Sequence, residues 1–295
     1  MRRLSAVCRC PNFFIPGAPK AGTTSLYHDL RQHPQVCMSE PKETWFFFDY
    51  RKYEEGSDWY TSKFFSHCDG QQIIGEATPG YMAHPDSAQR IVESLGTNCQ
   101  FLFLLRNPID RAFSQFHYDV QRGVREASQS FSDVIRDPVE QSSDPSRNHV
   151  GLLENGRYIV HLKRYERYFS RKQLHPILFG DYTKKREDTL RKIFDILGLS
   201  PVPIRKQKLH NRTQYPVSPS LFTFLQQAWS VTERLLGSAA EMLGSFRDVT
   251  RKILLSASQE RPSMSSTDRL YLQDFYADVN ADLSEYIGRD LSHWR

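Results

Sequence analysis

The sequence predicts an α/β fold in three layers, α/β/α, with a central parallel sheet. Three apolar runs, at 13–15, 72–77 and 100–105, have the composition of buried strands, and segments of helical periodicity follow them. Strands that alternate with helices form parallel sheets, which helices cover on both faces. The chain has 295 residues, of which 39% are hydrophobic, so it can bury such a core as a single domain spanning 1–295.

The first predicted strand leads into a loop that is suited to an anion. Residues 17–22 form a tight loop bounded by glycines, and 23–30 has a helical pattern. Amides of the first helical turn lack partners within the helix, and the helix dipole favours negative charge there. Lys20 adds a positive charge to the loop. The hydroxyl donors at the start of the helix are Thr23, Thr24 and Ser25. The segment therefore predicts a phosphate or sulfate ligand.

A nucleoside triphosphate loop, G-x-x-x-x-G-K-[ST], is the competing interpretation. Gly17 and Gly22 have its spacing, but Thr23 follows the second glycine and Lys20 lies two residues before it. A lysine that opens the helix reaches β- and γ-phosphates, whereas a lysine within the loop lies beside the bridging oxygen of a shorter, diphosphate-like group. The position of Lys20 favours the shorter group and leaves a P-loop nucleotide kinase as the less favoured alternative.

A second anion site is predicted where the strand at 100–105 ends. Arg106 leaves the strand at its carboxyl end, where open α/β sheets bind ligands. Pro108 starts a helix that places Ser114 about two turns further on. A guanidinium and a hydroxyl suit a terminal phosphate, so two such sites suit a bisphosphorylated nucleotide. Asp110 and Arg111 are either solvated helix charges or further ligand contacts.

Glu43 is the candidate general base. It precedes the aromatic run Trp45, Phe46 and Phe47, and partial desolvation by these rings would favour proton uptake by its carboxylate. The alternative is an ordinary surface glutamate that pairs with Lys42.

Two strings resemble the PAPS-dependent sulfotransferase superfamily, whose donor is 3′-phosphoadenosine 5′-phosphosulfate (PAPS). Pro19 to Thr24 resembles its 5′-phosphosulfate loop, P-K-[AGS]-G-[ST]-[ST], and Arg106 to Ser114 resembles its 3′-phosphate motif, R-x-P-x-x-R-x-x-S. Within the superfamily the chain is most similar to the carbohydrate branch of heparan sulfate type and its bacterial relatives. The resemblance covers about 13–122, 151–216 and 263–295, and it implies the sulfotransferase fold, which is related to that of P-loop NTPases.

The resemblance also implies roles for individual residues. Glu43 activates the acceptor, and Lys20 stabilises the leaving group. The 3′-phosphate is held by Arg106 and Ser114, and Arg212 closes over the nucleotide. The 5′-phosphosulfate is bound by Lys20, Ala21, Gly22, Thr23, Thr24 and Ser25. The candidate acceptor contacts are Lys42, Glu76 and Thr78. No metal is expected, because Lys20 and the helix dipole supply the positive charge.

One position departs from the family pattern. Ala77 stands where heparan-type enzymes carry a lysine that positions donor and acceptor. Either Lys42 or an arginine compensates, or the acceptor is not a heparan chain. The expected reaction is sulfuryl transfer from PAPS to a hydroxyl or amine of a glycan, with 3′-phosphoadenosine 5′-phosphate (PAP) as product. The alternative acceptor is a small metabolite, natural product or lipid.

Charge and cysteine content bear on partners and compartment. A net charge of +5 suits an anionic donor or acceptor, and no basic stripe or motif indicates nucleic-acid binding. The five cysteines form no C-x-x-C pair, so neither a zinc site nor a regular disulfide framework is expected. No apolar run is long enough for an integral membrane span. We therefore expect a cytoplasmic protein, with a luminal Golgi domain lacking its anchor as the alternative.

Three further segments carry structural expectations. The polar stretch 125–146 predicts a surface excursion. The stretch at about 217–262 predicts a helical insertion, either packed on the core or acting as a lid over the acceptor. A final helix is expected within 267–291.

Overall fold

A computed structural model describes residues 10–126, 128–144, 149–205 and 262–294. The strands are β1 (Phe13–Gly17), β2 (Val36–Met38), β3 (Ile73–Glu76), β4 (Gln100–Leu105), β5 (Ser143–Asp144), β6 (His149–Val150) and β7 (Leu174–Leu178). Five of them form one parallel sheet in the order β2-β3-β1-β4-β7, and β5 pairs with β6 in a separate antiparallel ribbon. The central parallel sheet with its helices confirms the predicted α/β class.

The helices alternate with the strands of the main sheet. They are α1 (Thr23–Leu30), α2 (Tyr50–Tyr53), α3 (Gly56–Phe65), α4 (Ser87–Leu95), α5 (Pro108–Arg122), α6 (Phe131–Arg136), α7 (Tyr158–Tyr165), α8 (Phe179–Lys184), α9 (Arg186–Ile196) and α10 (Ser266–Ile287). Helix α5 begins at Pro108 as predicted, because Asn107 caps it by accepting a hydrogen bond from the Ile109 amide at 2.9 Å. Helix α10 confirms the predicted final helix.

The strand order brings two loops together. Strand β1 lies between β3 and β4, and Gly17 at its end is in register with Phe103 of β4. The chain leaves β1 toward β2 on one side, and it returns from β3 to β4 on the other side. Such a reversal opens a crevice at the carboxyl ends of the strands. The loop at 17–22 and Arg106 therefore leave the sheet side by side.

A second hydrophobic cluster lies beside the sheet, between α5, α6 and α10. Its buried members include Ile109 and Phe116 of α5, Phe131 and Ile135 of α6, and Tyr276 of α10. This cluster corrects the expectation of a surface excursion at 125–146. The apolar residues of α6 recur at helical spacing, so this short helix buries one face against α5.

Arg111 resolves one alternative left open by the sequence. Its side chain is fully buried, and it donates a hydrogen bond to the carbonyl oxygen of Leu152. Asp110, whose side chain is 45% exposed, pairs instead with Arg269 at 3.2 Å. The two charges differ because adjacent positions on a helix face different directions. Arg111 is thus part of the interior and not a solvated charge.

A disulfide joins Cys37 to Cys68, a pairing that the sequence analysis did not identify. Cys37 lies on β2 and Cys68 follows α3, two elements that are neighbours in space but 31 residues apart in sequence. Disulfides are typical of oxidising compartments. The pair therefore does not support a reducing compartment, and the cytoplasmic location stays a prediction.

Several predicted features fall beyond the described ranges. Arg212 and the helical insertion at about 217–262, apart from its last residue, lie outside the described residues. None of the helices described in 10–205 and 262–294 combines the length and the apolar character needed to cross a bilayer.

Candidate active site

The loop after β1 has the shape of an anion cradle. Gly22 caps α1 at a φ of 90°, and a β-carbon placed there would lie 2.8 Å from Cε2 of Phe179. Glycine is therefore required both for backbone conformation and for space. Within the described part of the chain, no side chain caps the first turn of α1. Such a helix start is suited to an anion.

Lys20 lies in this loop in a strained conformation. Among the described residues, Lys20 (φ 62°) and Trp45 (φ 59°) are the non-glycine positions with positive φ. Such strain persists where the surrounding structure enforces it, often at functional sites. The Lys20 ammonium lies 3.7 Å from the ring centroid of Tyr118. Burial and then the charge of Arg106 lower the pKa of Lys20 to about 8, while Asp119 acts in the opposite direction.

Arg106 connects the two predicted anion sites. Its Nη1 donates a hydrogen bond to the backbone oxygen of Lys20 at 3.0 Å, and its guanidinium lies 5.5 Å from the ring centroid of Phe179. The Tyr158 hydroxyl donates to the Arg106 carbonyl oxygen at 2.8 Å. Ser114 is buried on α5, two turns beyond the start of that helix. The two sites that the sequence predicts separately are therefore adjacent.

Glu43 is paired with Lys42. Lys42 Nζ lies 2.7 Å from the Glu43 carboxylate, whose side chain is 37% exposed. Phe46 and Phe47 are fully buried in the core. The pair with Lys42 is the one that the sequence left open as the alternative, while desolvation of Glu43 by aromatic rings stays a prediction. Burial lowers the pKa of Lys42, and the charge of Glu43 acts against this effect.

Thr44 is held by hydrogen bonds to Glu76 and Thr78. Its amide donates to Thr78 Oγ1 at 3.1 Å, and its hydroxyl donates to Glu76 Oε2 at 2.6 Å. Glu76 and Thr78 are both fully buried, which does not fit the expected contact with an acceptor. They hold the residue that follows Glu43. Burial raises the pKa of the Glu76 carboxyl to about 7, although the Thr44 hydroxyl partly stabilises its charged form.

Two further residues join the site from α5, and the sequence analysis did not single them out. Arg122 donates a hydrogen bond to the Tyr118 hydroxyl at 3.3 Å. This bond is the main cause that raises the pKa of Arg122, and the negative charge of Glu43 contributes. Ser114, Tyr118 and Arg122 recur every four residues, so they share one face of the helix. This spacing of four residues is the sequence feature that could have identified Tyr118 and Arg122.

One cluster has the composition of a metal site. The sulfurs of Cys37 and Cys68 and a ring nitrogen of His67 lie within 4.8 Å of one another. The two sulfurs are joined in the disulfide, and a metal requires thiolates, so they are not ligands in this state. That the reaction needs no metal stays a prediction.

The chain is similar to known sulfotransferases. Residues 11–218 match the family model of the sulfotransferase domain. The chain is 36% identical over 150 residues to the membrane-associated sulfotransferase kil1 of Dictyostelium discoideum, an alignment covering 49% of this chain and 31% of that protein. It is 27% identical over 298 residues to bifunctional heparan sulfate N-deacetylase/N-sulfotransferase 4 of Mus musculus, covering 96% of this chain and 31% of that protein. The chain thus spans about a third of these relatives.

A solved structure agrees with this placement over the whole chain. The crystal structure of a sulfotransferase from Alicyclobacillus acidocaldarius superposes with a TM-score of 0.67 at 26% identity, covering 97% of this chain and 98% of the other. The family model alone covers well over half of the 295 residues. The chain therefore belongs to the sulfotransferase domain family.

Proposed function

We propose that the protein transfers the sulfuryl group of PAPS to a hydroxyl or amine of a carbohydrate acceptor and releases PAP. The observation that carries this proposal is the hydrogen bond from Arg106 to the Lys20 backbone, which makes the two anion sites contiguous. A nucleotide with groups at both its 5′ and 3′ positions requires such a pair. Sulfotransferases of this family use PAPS as donor.

The residues of the loop fit the 5′ end of this donor. The first turn of α1 has no side-chain cap at Gly22, which favours a ligand that accepts hydrogen bonds from the backbone amides. The 5′ group would be held by Lys20, Ala21, Gly22, Thr23, Thr24 and Ser25. Arg106 and Ser114 would hold the 3′-phosphate, and Arg212 remains the predicted contact on the adenosine side.

The transfer itself needs a base and a cation. The acceptor oxygen or nitrogen forms a bond to sulfur while the bond from sulfur to the bridging oxygen breaks, and the electron pair leaves with PAP. The acceptor proton goes to the Glu43 carboxylate. Lys20 and the amides of α1 stabilise charge that develops on the bridging oxygen. Lys42 orients Glu43 through their 2.7 Å contact, while Glu76 and Thr78 hold the backbone beside it.

A carbohydrate acceptor is favoured by similarity and by charge. The heparan sulfate N-sulfotransferase relative aligns with 96% of this chain. Cationic groups also lie around Glu43: Lys42 pairs with it, Lys52 donates to the Thr44 carbonyl oxygen at 2.9 Å, and Arg122 senses its charge. These cations suit an acidic glycan. Ala77 is fully buried, so Lys42 is the proposed substitute for the missing lysine.

Transfer of radiolabelled sulfate from PAPS tests the proposal. The acceptor panel contains desulfated and N-deacetylated heparan, neutral oligosaccharides and small alcohols, with Lys20→Ala as the inactive control. We expect label in the glycan fraction. Label only in small alcohols would replace the carbohydrate with a metabolite acceptor. If the protein binds ATP and fails to bind PAPS, the donor assignment is wrong.

A further inference from the structure

Tyr118 contacts the proposed leaving-group lysine through its ring. The Lys20 ammonium lies over the ring face, 3.7 Å from the centroid, which is well within the distance for a cation–π interaction. The Tyr118 hydroxyl accepts a hydrogen bond from Arg122 at 3.3 Å. The ring is therefore held at its polar end while its face is directed at Lys20.

The charges around Lys20 explain why this contact matters. Arg106, at the end of β4, repels the ammonium, and burial also disfavours its charged form. Asp119 on α5 favours the charge, but its carboxylate accepts from Gln115 at 2.6 Å and lies 3.6 Å from Arg125. The Tyr118 ring contacts the ammonium directly. A cation–π contact is stronger when the cation is desolvated.

The position of Tyr118 on α5 relates this contact to the donor site. Ser114 lies one turn before it and Arg122 one turn after it, on the same face of the helix. Ser114 is the proposed 3′-phosphate contact, and the charge of Glu43 contributes to the raised pKa of Arg122. Tyr118 therefore stands between the donor and acceptor ends of the site.

We propose that Tyr118 is a positioning residue for sulfuryl transfer, whose ring holds the Lys20 ammonium in its charged form at the loop. The proposal rests on the proposed function, in which Lys20 stabilises the leaving group. A cation held in place before the reaction needs no reorganisation when charge develops on the bridging oxygen. The hydroxyl of Tyr118 is not required for this role.

The first test measures Lys20 without any donor. Acylation of Lys20 by a water-soluble active ester, followed by mass spectrometry between pH 6.5 and 10, gives its titration in the free protein. Tyr118→Phe keeps the ring, and Tyr118→Leu removes it at similar volume. We expect the wild-type curve for Tyr118→Phe, and for Tyr118→Leu a midpoint about 0.5 to 1 lower in pH. PAP should protect Lys20 from acylation.

The second test uses the reaction. At pH 7.5 we expect kcat to fall about 3- to 10-fold for Tyr118→Leu and to stay near wild type for Tyr118→Phe. The alkaline limb of the pH profile of kcat should shift to lower pH in Tyr118→Leu and stay in place in Tyr118→Phe. Tyr286→Leu is the control, because Tyr286 forms a similar contact with Arg171 at 4.2 Å. That variant should leave the titration of Lys20 unchanged.

Two results would overturn the inference. An unchanged or raised Lys20 midpoint in Tyr118→Leu would show that the ring does not hold the ammonium. An equal loss of kcat in both Tyr118 variants would assign the effect to the hydroxyl and Arg122. Failure of the proposed function is a separate outcome, namely that wild-type protein transfers no sulfate from PAPS, and the donor-free titration decides the role of the ring in either case.

Discussion

Arg106 donates a hydrogen bond from Nη1 to the carbonyl oxygen of Lys20 at 3.0 Å. The two residues follow β4 and β1, which are adjacent in the sheet. Arg106 thus has two potential effects, one through its charge on a 3′-phosphate and one through the shape of the loop.

Replacement of Arg106 by alanine should weaken PAP binding more than AMP binding. AMP lacks the 3′-phosphate, so it reports only the loop. A hydrogen bond to a charged group contributes about 1.5–3 kcal/mol, so we expect PAP affinity to fall roughly 10- to 150-fold. Titration calorimetry with both nucleotides measures this difference. Arg171→Ala, at a 45% exposed side chain, should change neither affinity. Equal losses for PAP and AMP would mean that Arg106 only braces the loop.

Donor affinity should decline above about pH 8, because the pKa of Lys20 is lowered to about 8. At higher pH the amine becomes neutral and attracts the nucleotide less. The phosphate groups themselves, with a second pKa of about 6, are already ionised over this range. Calorimetry with PAP between pH 7 and 9.5 gives the profile. Lys20→Arg stays charged and should show no decline. A flat wild-type profile to pH 9.5 would contradict a charged role for Lys20.

Glu43→Gln should abolish proton abstraction while leaving donor binding intact. General-base catalysis contributes about 10²- to 10⁴-fold, and kcat should fall by that factor. PAP affinity, measured by calorimetry, should stay within about 2-fold of the wild-type value, because a partly exposed charge contributes little to binding. Glu40→Gln is the matched control, since this carboxylate of the same turn pairs with Arg31. A parallel loss of PAP affinity would make Glu43 a donor contact.

The strands and loops of the donor site were predictable because their signals are local. Residues 100–105 form a continuous apolar run, as expected for a strand that is buried on both faces, and the structure has β4 at those residues. The proline at 108 predicts a helix start, and α5 begins there. The glycine at 22 predicts a loop, and a β-carbon at that position would collide with Phe179.

The remaining features depend on packing between distant segments. Cys37 and Cys68 pair across 31 residues, and no spacing rule identifies such a pair. Glu76 is polar, but its strand lies in the interior, so it forms a buried hydrogen bond to Thr44 and lacks an exposed surface. The role of Tyr118 depends on where the loop carrying Lys20 meets α5. Composition does not encode these contacts.

The free energy of unfolding of Glu76→Gln, compared with that of wild type, should increase as pH rises. Burial raises the pKa of Glu76 from 4.5 to about 7, so the folded state binds this proton more tightly than the unfolded state. The resulting stability is present below pH 4.5 and is lost as pH rises through about 7. Glutamine accepts the Thr44 hydrogen bond without titrating. The difference in free energy of unfolding between the variant and wild type should therefore change by up to about 3 kcal/mol in favour of the variant over this range.

Urea unfolding at pH 5, 6, 7 and 8 measures that difference. The other titrating groups, such as His84 with its pKa lowered to about 4, are common to both proteins and cancel in the comparison. Glu93→Gln replaces a carboxylate at the surface, where it accepts from Tyr53 and Gln89, and should show no such trend. A pH-independent difference between Glu76→Gln and wild type would mean that Glu76 titrates near its ordinary value.

Removal of the Cys37–Cys68 disulfide should destabilise the protein without changing the donor site. The cross-link closes a loop with a sequence separation of 31, for which chain entropy gives about 3–4 kcal/mol. The double variant Cys37→Ala/Cys68→Ala should therefore melt several degrees lower than wild type under non-reducing conditions. Reductant should lower the Tm of wild type by more than that of the variant, which keeps the disulfide of Cys10. Cys99→Ala, which replaces a buried free cysteine, should show the same fall in Tm with reductant as wild type.

PAP affinity should be the same in all three proteins, because the cross-link joins β2 to the segment after α3, whereas the donor loops follow β1 and β4. Equal melting temperatures of wild type and double variant without reductant would show that the bond does not stabilise the fold.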